Sequence, residues 1–591
     1  MALGRTRFWI PAFAFGAALM SPLLVHADGV LADGTAAGPV APPAFDATSA
    51  TGWDVPGVVV IDAKDSLSDG DIQALLEDLR SVAPGVTFEE SDLEDDTRIE
   101  IAKGVDLAVV LDRFQGDDRI EGVEPLAWVK ASFVPDDPLY KEQWHMERIG
   151  AERAWDYASG RGITVAVIDT GIACEDFDGF TKGSDLSNTK CVDGWNFIRN
   201  NSHANDDHGH GTHVAGTVAQ STNNGIGATG VAFDVRLMPI KVLDKGGWGT
   251  TLDIANGIRW ASDNGAHVIN MSLGGPRNSK VMEDAVAHAR AQGTVVVAAA
   301  GNSGGSVGFP GGSTGVIGVS ASDPNDKLAT FSSRGKGVDI AAPGVGVVQQ
   351  TICQSGKNKC EIFPGWNGTS MASPHVAGVA ALVMGLGVTD PDAVEQALTE
   401  NARVVDPSEG GKRLYGAGIL DAASAVRAVT LKNGLVRLGF VALFTLLVGI
   451  WARSKTKGAK ALSPGFLVAA LATGPGLLFF APLFLSRTSL PVDLLARPLA
   501  DLDFFVGASL HRLLPLANAL VPFLLLILTF QLKKLRPLVA GVGVGTAAYL
   551  ASILVLGQTF SPFGAMALFG WCAVNAVACL AIARTCLAET K

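Results

Sequence analysis

Three short runs of this chain carry side chains that together could break an acyl bond. In Gly368-Thr369-Ser370-Met371-Ala372-Ser373-Pro374-His375-Val376-Ala377-Gly378 a serine stands at the mouth of a small-residue, helix-prone segment. A hydroxyl there gains from the positive end of the helix dipole, which favours developing negative charge. In His208-Gly209-His210-Gly211-Thr212-His213-Val214-Ala215-Gly216 a histidine precedes a second small-residue helix. In Val165-Ala166-Val167-Ile168-Asp169-Thr170-Gly171 an aspartate ends an apolar run. A hydroxyl, an imidazole to take its proton and a carboxylate to hold that imidazole are the parts of nucleophilic acyl transfer.

Positioning them requires a sheet. From residue 144 to 429 apolar strands at about 165–169, 236–242, 267–271, 294–300 and 316–321 alternate with helical stretches. That alternation implies a parallel sheet covered by helices on both faces, an α/β fold. Asp169 then sits at the carboxyl edge of the sheet, where such folds bind ligands.

The chain order Asp, His, Ser and the three blocks around these residues resemble the subtilisin-like (S8) serine peptidases over residues 137–428. The resemblance implies a subtilisin-like three-layer fold and hydrolysis of protein or peptide substrates. Ser370 would be the nucleophile, His210 the general base and acid, and Asp169 its orienting carboxylate. Asn302, in Ala298-Ala299-Ala300-Gly301-Asn302-Ser303-Gly304, matches the family's oxyanion-hole asparagine. Gly247-Trp248-Gly249 and Ser272-Leu273-Gly274-Gly275 match the two segments that clamp a peptide as an added strand. Gly308, before Phe309-Pro310, matches the floor of the primary pocket and implies room for a medium or large apolar side chain. Asp178, nine residues after Asp169, Asn224 in Asn223-Asn224-Gly225-Ile226-Gly227, and Asp137 match positions that bind structural Ca²⁺, a cation suited to hard oxygen donors. No catalytic cofactor is implied. His208, His213 and His375 read as packing residues rather than a metal cluster.

The rest of the 591 residues leaves room for further domains. Residues 1–27, with Arg5 and Arg7, an apolar stretch and Val25-His26-Ala27, read as a signal peptide. Residues 28–130 hold 23 Asp and Glu against 7 Lys and Arg, a net of −16 where the whole chain carries −12. The acidity is thus local, and nothing points to a nucleic-acid partner. Within 56–130 the order strand, helix, strand, strand, helix, strand fits a small α+β ferredoxin-like domain. Residues 28–135 resemble the family's inhibitory prodomain, an intramolecular inhibitor released by cleavage between about Lys130 and Asp136. The peptidase domain is expected over 136–430.

Residues 431–591 read as an all-α transmembrane region with spans near 435–452, 464–485, 513–530, 537–556 and 565–583. Arg453, Lys455, Lys457 and Lys460, then Lys533, Lys534 and Arg536, then Arg584 and Lys591 follow the odd-numbered spans. The positive-inside rule then places these ends and the C-terminus in the cytoplasm, with the peptidase outside. The segment 491–511 is polar enough to lie at the interface instead. Cys174, Cys191, Cys353 and Cys360 allow three pairings, of which 174–191 and 353–360 are simplest. Cys572, Cys579 and Cys586 repeat every seven residues and read as one packed helix face. The expected whole is a multi-pass membrane endopeptidase, made as a zymogen, whose catalytic domain is periplasmic or extracellular. A silent peptide-binding module is the alternative that the intact Asp169, His210, Ser370 and Asn302 set disfavours.

Overall fold

The computed structural model describes residues 54–64, 66–90, 98–114, 117–127, 133–352, 362–453, 463–483, 496–501, 515, 518–529 and 531–588. The expected signal peptide, Cys353 and Cys360 lie outside these residues. The chain divides into two units, Met1–Lys130 and Ala131–Lys591.

The first unit contains β1 (Asp54–Ala63), α1 (Asp69–Val82), β2 (Thr87–Glu90), β3 (Arg98–Lys103), α2 (Leu107–Phe114) and β4 (Ile120–Ala127). Its sheet runs β2-β3-β1-β4 with every pair antiparallel, the ferredoxin-like arrangement expected from the pattern. Val59 and Ile61, two apart on one face of β1, bury against Leu75 and Leu79, four apart on α1. Helix α1 begins in a capping box in which Ser68 accepts from the Asp71 N–H and the Asp71 carboxylate accepts from the Ser68 N–H.

The second unit is built on an eight-stranded sheet. Its strands are β5 (Thr164–Asp169), β6 (Lys190–Cys191), β7 (Trp195–Asn196), β8 (Arg236–Lys241), β9 (Val268–Met271), β10 (Val295–Ala299), β11 (Ile317–Ser322) and β12 (Ile340–Pro343). The order is β12-β11-β10-β9-β5-β8-β6, with β7 also on β8, and all pairs are parallel. Alternation along β5 shows the three layers. Val165 and Val167 face α5 (His210–Ala219) and α8 (Thr369–Gly385) through Val214 and Val376, while Ala166 and Ile168 face α6 (Thr251–Asp263) and α7 (Lys280–Ala291) through Ile258 and Val286. The expected three-layer α/β fold is present.

The carboxyl-terminal helices differ from expectation in two ways. First, no break separates the helix that packs on the sheet's core from the first expected span: Ala422–Arg453 is one helix of 32 residues. Val426 and Val429 bury in the core around the parallel sheet, and Val441 and Val448 bury among the apolar carboxyl-terminal helices. Second, among the described residues three helices are long and apolar enough to cross a bilayer, Ala422–Trp451, Lys533–Leu556 and Ala565–Leu587, and parts of the second and third expected spans lie outside the described residues. Within 464–485 the helix Pro464–Thr473 stops before Gly474-Pro475-Gly476, since Pro475 removes an N–H and disfavours a helical residue before it. At ten residues it covers about 15 Å, half the apolar thickness of a bilayer. Within 513–530 the described helix is Leu520–Leu528. The helix Arg536–Leu556 lies at the centre, where Gly541 and Gly543 leave room for the Phe466 and Cys579 carbonyls. Cys572, Cys579 and Cys586 are buried on one face of the last helix, as their spacing suggested. Arg437, inside the first expected span, is buried, with its Nε donating to Ser552 Oγ at 3.2 Å and its guanidinium 5.0 Å from the Tyr549 ring.

Candidate active site

The sequence delivers Asp169, Ser272 and Asn302 to the same edge of the sheet because each follows, or ends, a parallel strand: β5, β9 and β10. Asp169 is fully buried, and its Oδ1 accepts from His210 Nδ1 at 2.7 Å and from the Thr170 N–H at 2.7 Å. With Nδ1 so engaged, Nε2 is left as the basic nitrogen. Burial pulls the His210 pKa down, but the Asp169 charge and hydrogen bond, with the charge of Asp206, outweigh it and hold the imidazole above its ordinary value. His210 can stand this close only because Gly211 has no side chain; a Cβ there would lie 2.1 Å from the Gly171 carbonyl.

A second carboxylate, which the sequence reading passed over, shapes this corner. Buried Asp206 accepts from the His208 and Gly209 N–H groups and Thr170 Oγ1 with one oxygen, and from the Thr212 N–H and hydroxyl with the other. It ties the loop before His210 to the first turn of α5. Its place two residues before His208-Gly209-His210, at a helix start, was the available signal. Beside it, buried Lys241 donates to Asp207 at 2.6 Å and to the Thr170 and Leu243 carbonyls.

Ser370 lies in the first turn of α8, where N–H groups lack intrahelical partners. Its hydroxyl donates to the Ser272 carbonyl at 3.1 Å. Pro374 explains a further feature: lacking an N–H, it cannot bond the carbonyl four residues back, which is that of Ser370. Ser272 Oγ donates to that freed carbonyl at 2.7 Å, itself accepting from Asn270 Nδ2, while Ser373 Oγ donates to Asn270 Oδ1 at 2.6 Å. A buried chain of side chains thus replaces one helical hydrogen bond and fixes the serine backbone. Ser272 therefore acts through its hydroxyl on the serine turn as well as bordering the cleft.

Asn302 is fixed from one end. Its Oδ1 accepts from the Thr369 N–H and from Thr369 Oγ1, both at 2.9 Å, so Nδ2 is the end left to donate. Thr369 in turn accepts from the Gly301 N–H. Nδ2 and the Ser370 N–H thus flank one turn, a pair of donors suited to an oxyanion.

The residues expected to clamp a peptide lie around this site. Gly275 and Phe309 exchange both backbone hydrogen bonds, which fastens Ser272, Leu273 and Gly274 beside Gly308. A Cβ on Gly308 would lie 3.1 Å from the Gly275 carbonyl, so this floor admits no side chain without shifting the strand. Gly247, Trp248 and Gly249 form a turn held by Asp244, whose carboxylate accepts from the Gly246 and Trp248 N–H groups, and Trp248 projects into solvent.

Of the neighbouring histidines expected to pack, His213 and His375 are buried, whereas His208 is exposed, its Nδ1 accepting from the His210 N–H at 3.3 Å. His213 stacks on Trp366 at 4.5 Å with its Nε2 at the Pro364 carbonyl, and burial draws its pKa down to about 4. His375 and His145 pair in the core at 2.8 Å, and burial brings His375 to about 4 and His145 well below its usual value. Trp366 also lies over His210 at 6.4 Å.

The three expected calcium positions do not come together. Asp137 and Asn224 meet: the Asn223 and Asn224 N–H groups donate to the two Asp137 oxygens. Asp178 instead sits in a turn with φ of 51° and pairs with Arg199 at 2.6 Å. The carboxylate that joins the other two is Asp185, which accepts from Asn224 Nδ2 and the Ala228 N–H. Burial raises the Asp137 carboxyl, and raises Asp185 to about 7 against those two hydrogen bonds. Among the described residues no group of three or more His, Cys, Asp or Glu is arranged to hold a metal. A disulfide joins Cys174 to Cys191, one of the local pairings.

With this geometry in hand, the likeness to known proteins is informative. The Subtilase family (Peptidase S8) profile matches residues 160–418. The chain is similar to alkaline elastase YaB of Bacillus sp. (strain YaB), 41% identical over 48% of this chain and 70% of that protein. It is likewise similar to subtilisin Savinase of Lederbergia lenta, 41% identical over 48% of this chain and 98% of that protein. With thermitase of Thermoactinomyces vulgaris it shares 37% identity over 50% of this chain and 100% of that protein. The chain belongs to the subtilase family and is a subtilisin-like serine protease.

Proposed function

We propose that Asp169, His210 and Ser370 are the catalytic triad of a membrane-anchored endopeptidase. The observation that carries this reading is the 2.7 Å contact between His210 Nδ1 and a fully buried Asp169. The Ser370 hydroxyl turns from the Ser272 carbonyl to His210 Nε2, gives up its proton there and attacks the scissile carbonyl carbon. The carbonyl oxygen takes the negative charge between Asn302 Nδ2 and the Ser370 N–H. Collapse of the tetrahedral intermediate breaks the C–N bond, His210 protonates the leaving amine, and water, deprotonated by His210, then releases the acyl group. Gly247, Trp248 and Gly249 on one side and Ser272, Leu273 and Gly274 on the other hold the extended substrate, with Gly308 beneath an apolar side chain.

Residues 28–135 act as an inhibitory prodomain, a reading supported by the ferredoxin-like sheet order and position. The apolar helices anchor the enzyme, with the peptidase outside the cytoplasm and the basic span ends inside; Arg584 lies over Trp451, so ends of the first and last spans meet. Asp137, Asp185 and Asn224 would hold a structural Ca²⁺, whose charge would offset two buried carboxylates that burial otherwise drives towards protonation. Comparing the N-termini of the intact membrane protein and its Ser370→Ala form by mass spectrometry tests self-maturation. Cleavage between residues 130 and 136 in the active form alone is expected; the same cut in both would exclude it.

A further inference from the structure

The catalytic groups and the membrane helices occupy opposite edges of one sheet. Asp169, Ser272 and Asn302 lie at the carboxyl ends of β5, β9 and β10. Among the described residues, the holds from the membrane region at Gln558, Phe560 and Arg497 fall at the other edge. Phe560 packs against Gly293, two residues before β10; Gly293 has a φ of 80°, and a Cβ there would lie 2.4 Å from the ring. The Gln558 carbonyl accepts from the Thr389 and Asp390 N–H groups, and the Phe560 N–H donates to Thr389 Oγ1. Arg497 lies beside Gly385, which in turn abuts Gly160, four residues before β5.

Helix α8 connects the two edges. Ser370 is in its first turn and Gly385 is its last residue. Seventeen residues at 1.5 Å each span about 25 Å, and strands of five or six residues span about 17–20 Å. No flexible segment intervenes, because the helix Ala422–Arg453 runs unbroken from the peptidase core into the apolar bundle.

We propose that the membrane helices are a platform that holds the cleft open away from the bilayer, at a fixed height of about 25 Å. Its substrates are polypeptides that reach that height: soluble chains, or long extended segments of membrane proteins. Peptide bonds next to the bilayer are spared. This inference rests on the membrane-anchored peptidase reading.

The test uses the full chain in liposomes with the peptidase outward. One cleavable segment is presented free in solution, and also on single-span peptides above rigid helical spacers of about 5, 15, 30 and 45 Å, at 1.5 Å per residue. The free segment and the two tall substrates should be cut at similar rates, and the 5 Å substrate at least tenfold slower. Inserting a flexible Gly-Ser stretch after Lys432 together with Phe560→Ala should raise cutting of the 5 Å substrate at least fivefold while leaving the free segment unchanged. Cutting of the 5 Å and 45 Å substrates within twofold of each other would overturn the platform. A free segment left uncut would instead sink the peptidase reading, and the platform with it.

Discussion

The two edges of the catalytic sheet are held by different kinds of force. At the carboxyl edge, directional hydrogen bonds made by named side chains fix the atoms: Asp169 with His210, Thr369 with Asn302, and Ser272 Oγ with the Ser370 carbonyl. At the amino edge, the contacts are main-chain bonds at Gln558 and an aromatic ring lying on a glycine. The first edge depends on which atoms donate and accept, while the second depends on shape and volume. Changes at the carboxyl edge should therefore cost rate, and changes at the amino edge should cost stability.

The largest expected loss is at Ser370 and His210. Replacing either with Ala should lower kcat by about 10⁶-fold, the magnitude known from subtilisin, while the urea midpoint stays in place. A parallel fall in stability would blur the contrast between the edges. Asn302→Ala should lower kcat about 10²- to 10³-fold, again a subtilisin magnitude, with KM little changed. A loss seen mainly in KM would reassign Asn302 to substrate binding.

Acid should affect the core beneath the site more than either edge. His213 and His375 have pKa values near 4 in the folded protein because burial disfavours the charged ring, against about 6.5 when unfolded. Between these values the unfolded chain binds more protons. The share of stability these histidines carry is therefore complete above about pH 6.5 and falls by about 1.4 kcal/mol per pH unit for each down to about pH 4, with Asp185, raised to about 7, opposing one such share. Urea midpoints from pH 7 to 4.5 for the wild type and His213→Asn measure it by difference, the variant losing one histidine's share. At Asp185 the expected effect is smaller. Calcium at a hundredfold its Kd should stabilise the protein by about 2.7 kcal/mol, and Asp185→Asn should abolish that gain while Asp178→Asn leaves it. The smallest expected effect is Phe560→Ala, about 1–3 kcal/mol in stability with kcat on a free peptide unchanged.

Much of the carboxyl edge was legible in the sequence, because apolar strand runs ending in Asp169 and Ala299 fix where chemistry-bearing residues emerge. Alternation of strands and helices also gave the parallel sheet, since each β-strand buried on both faces must read as a continuous apolar run. Asp185 was not legible. Spacing from Asp169 favoured Asp178, and only the folded loop shows that Asp178 turns to Arg199 while Asp185 meets Asn224. Pro374 was read as part of a motif, yet its effect on the Ser370 carbonyl depends on a hydroxyl 98 residues away. The amino edge was the least legible. Hydropathy marks apolar length, so 464–485 passed as a span, although Gly474-Pro475-Gly476 ends its helix after Thr473. The seating of Phe560 on Gly293 joins residues with no pattern in common.

The claim on which everything above depends is that Ser370 is an activated nucleophile at the carboxyl edge. Labelling the full-length protein with a fluorophosphonate and mapping the modified peptide addresses it directly. A single adduct on Ser370 is expected, absent from Ser370→Ala and strongly slowed in His210→Ala. Folded, mature protein that takes no label, or takes it on another serine, would contradict the assignment.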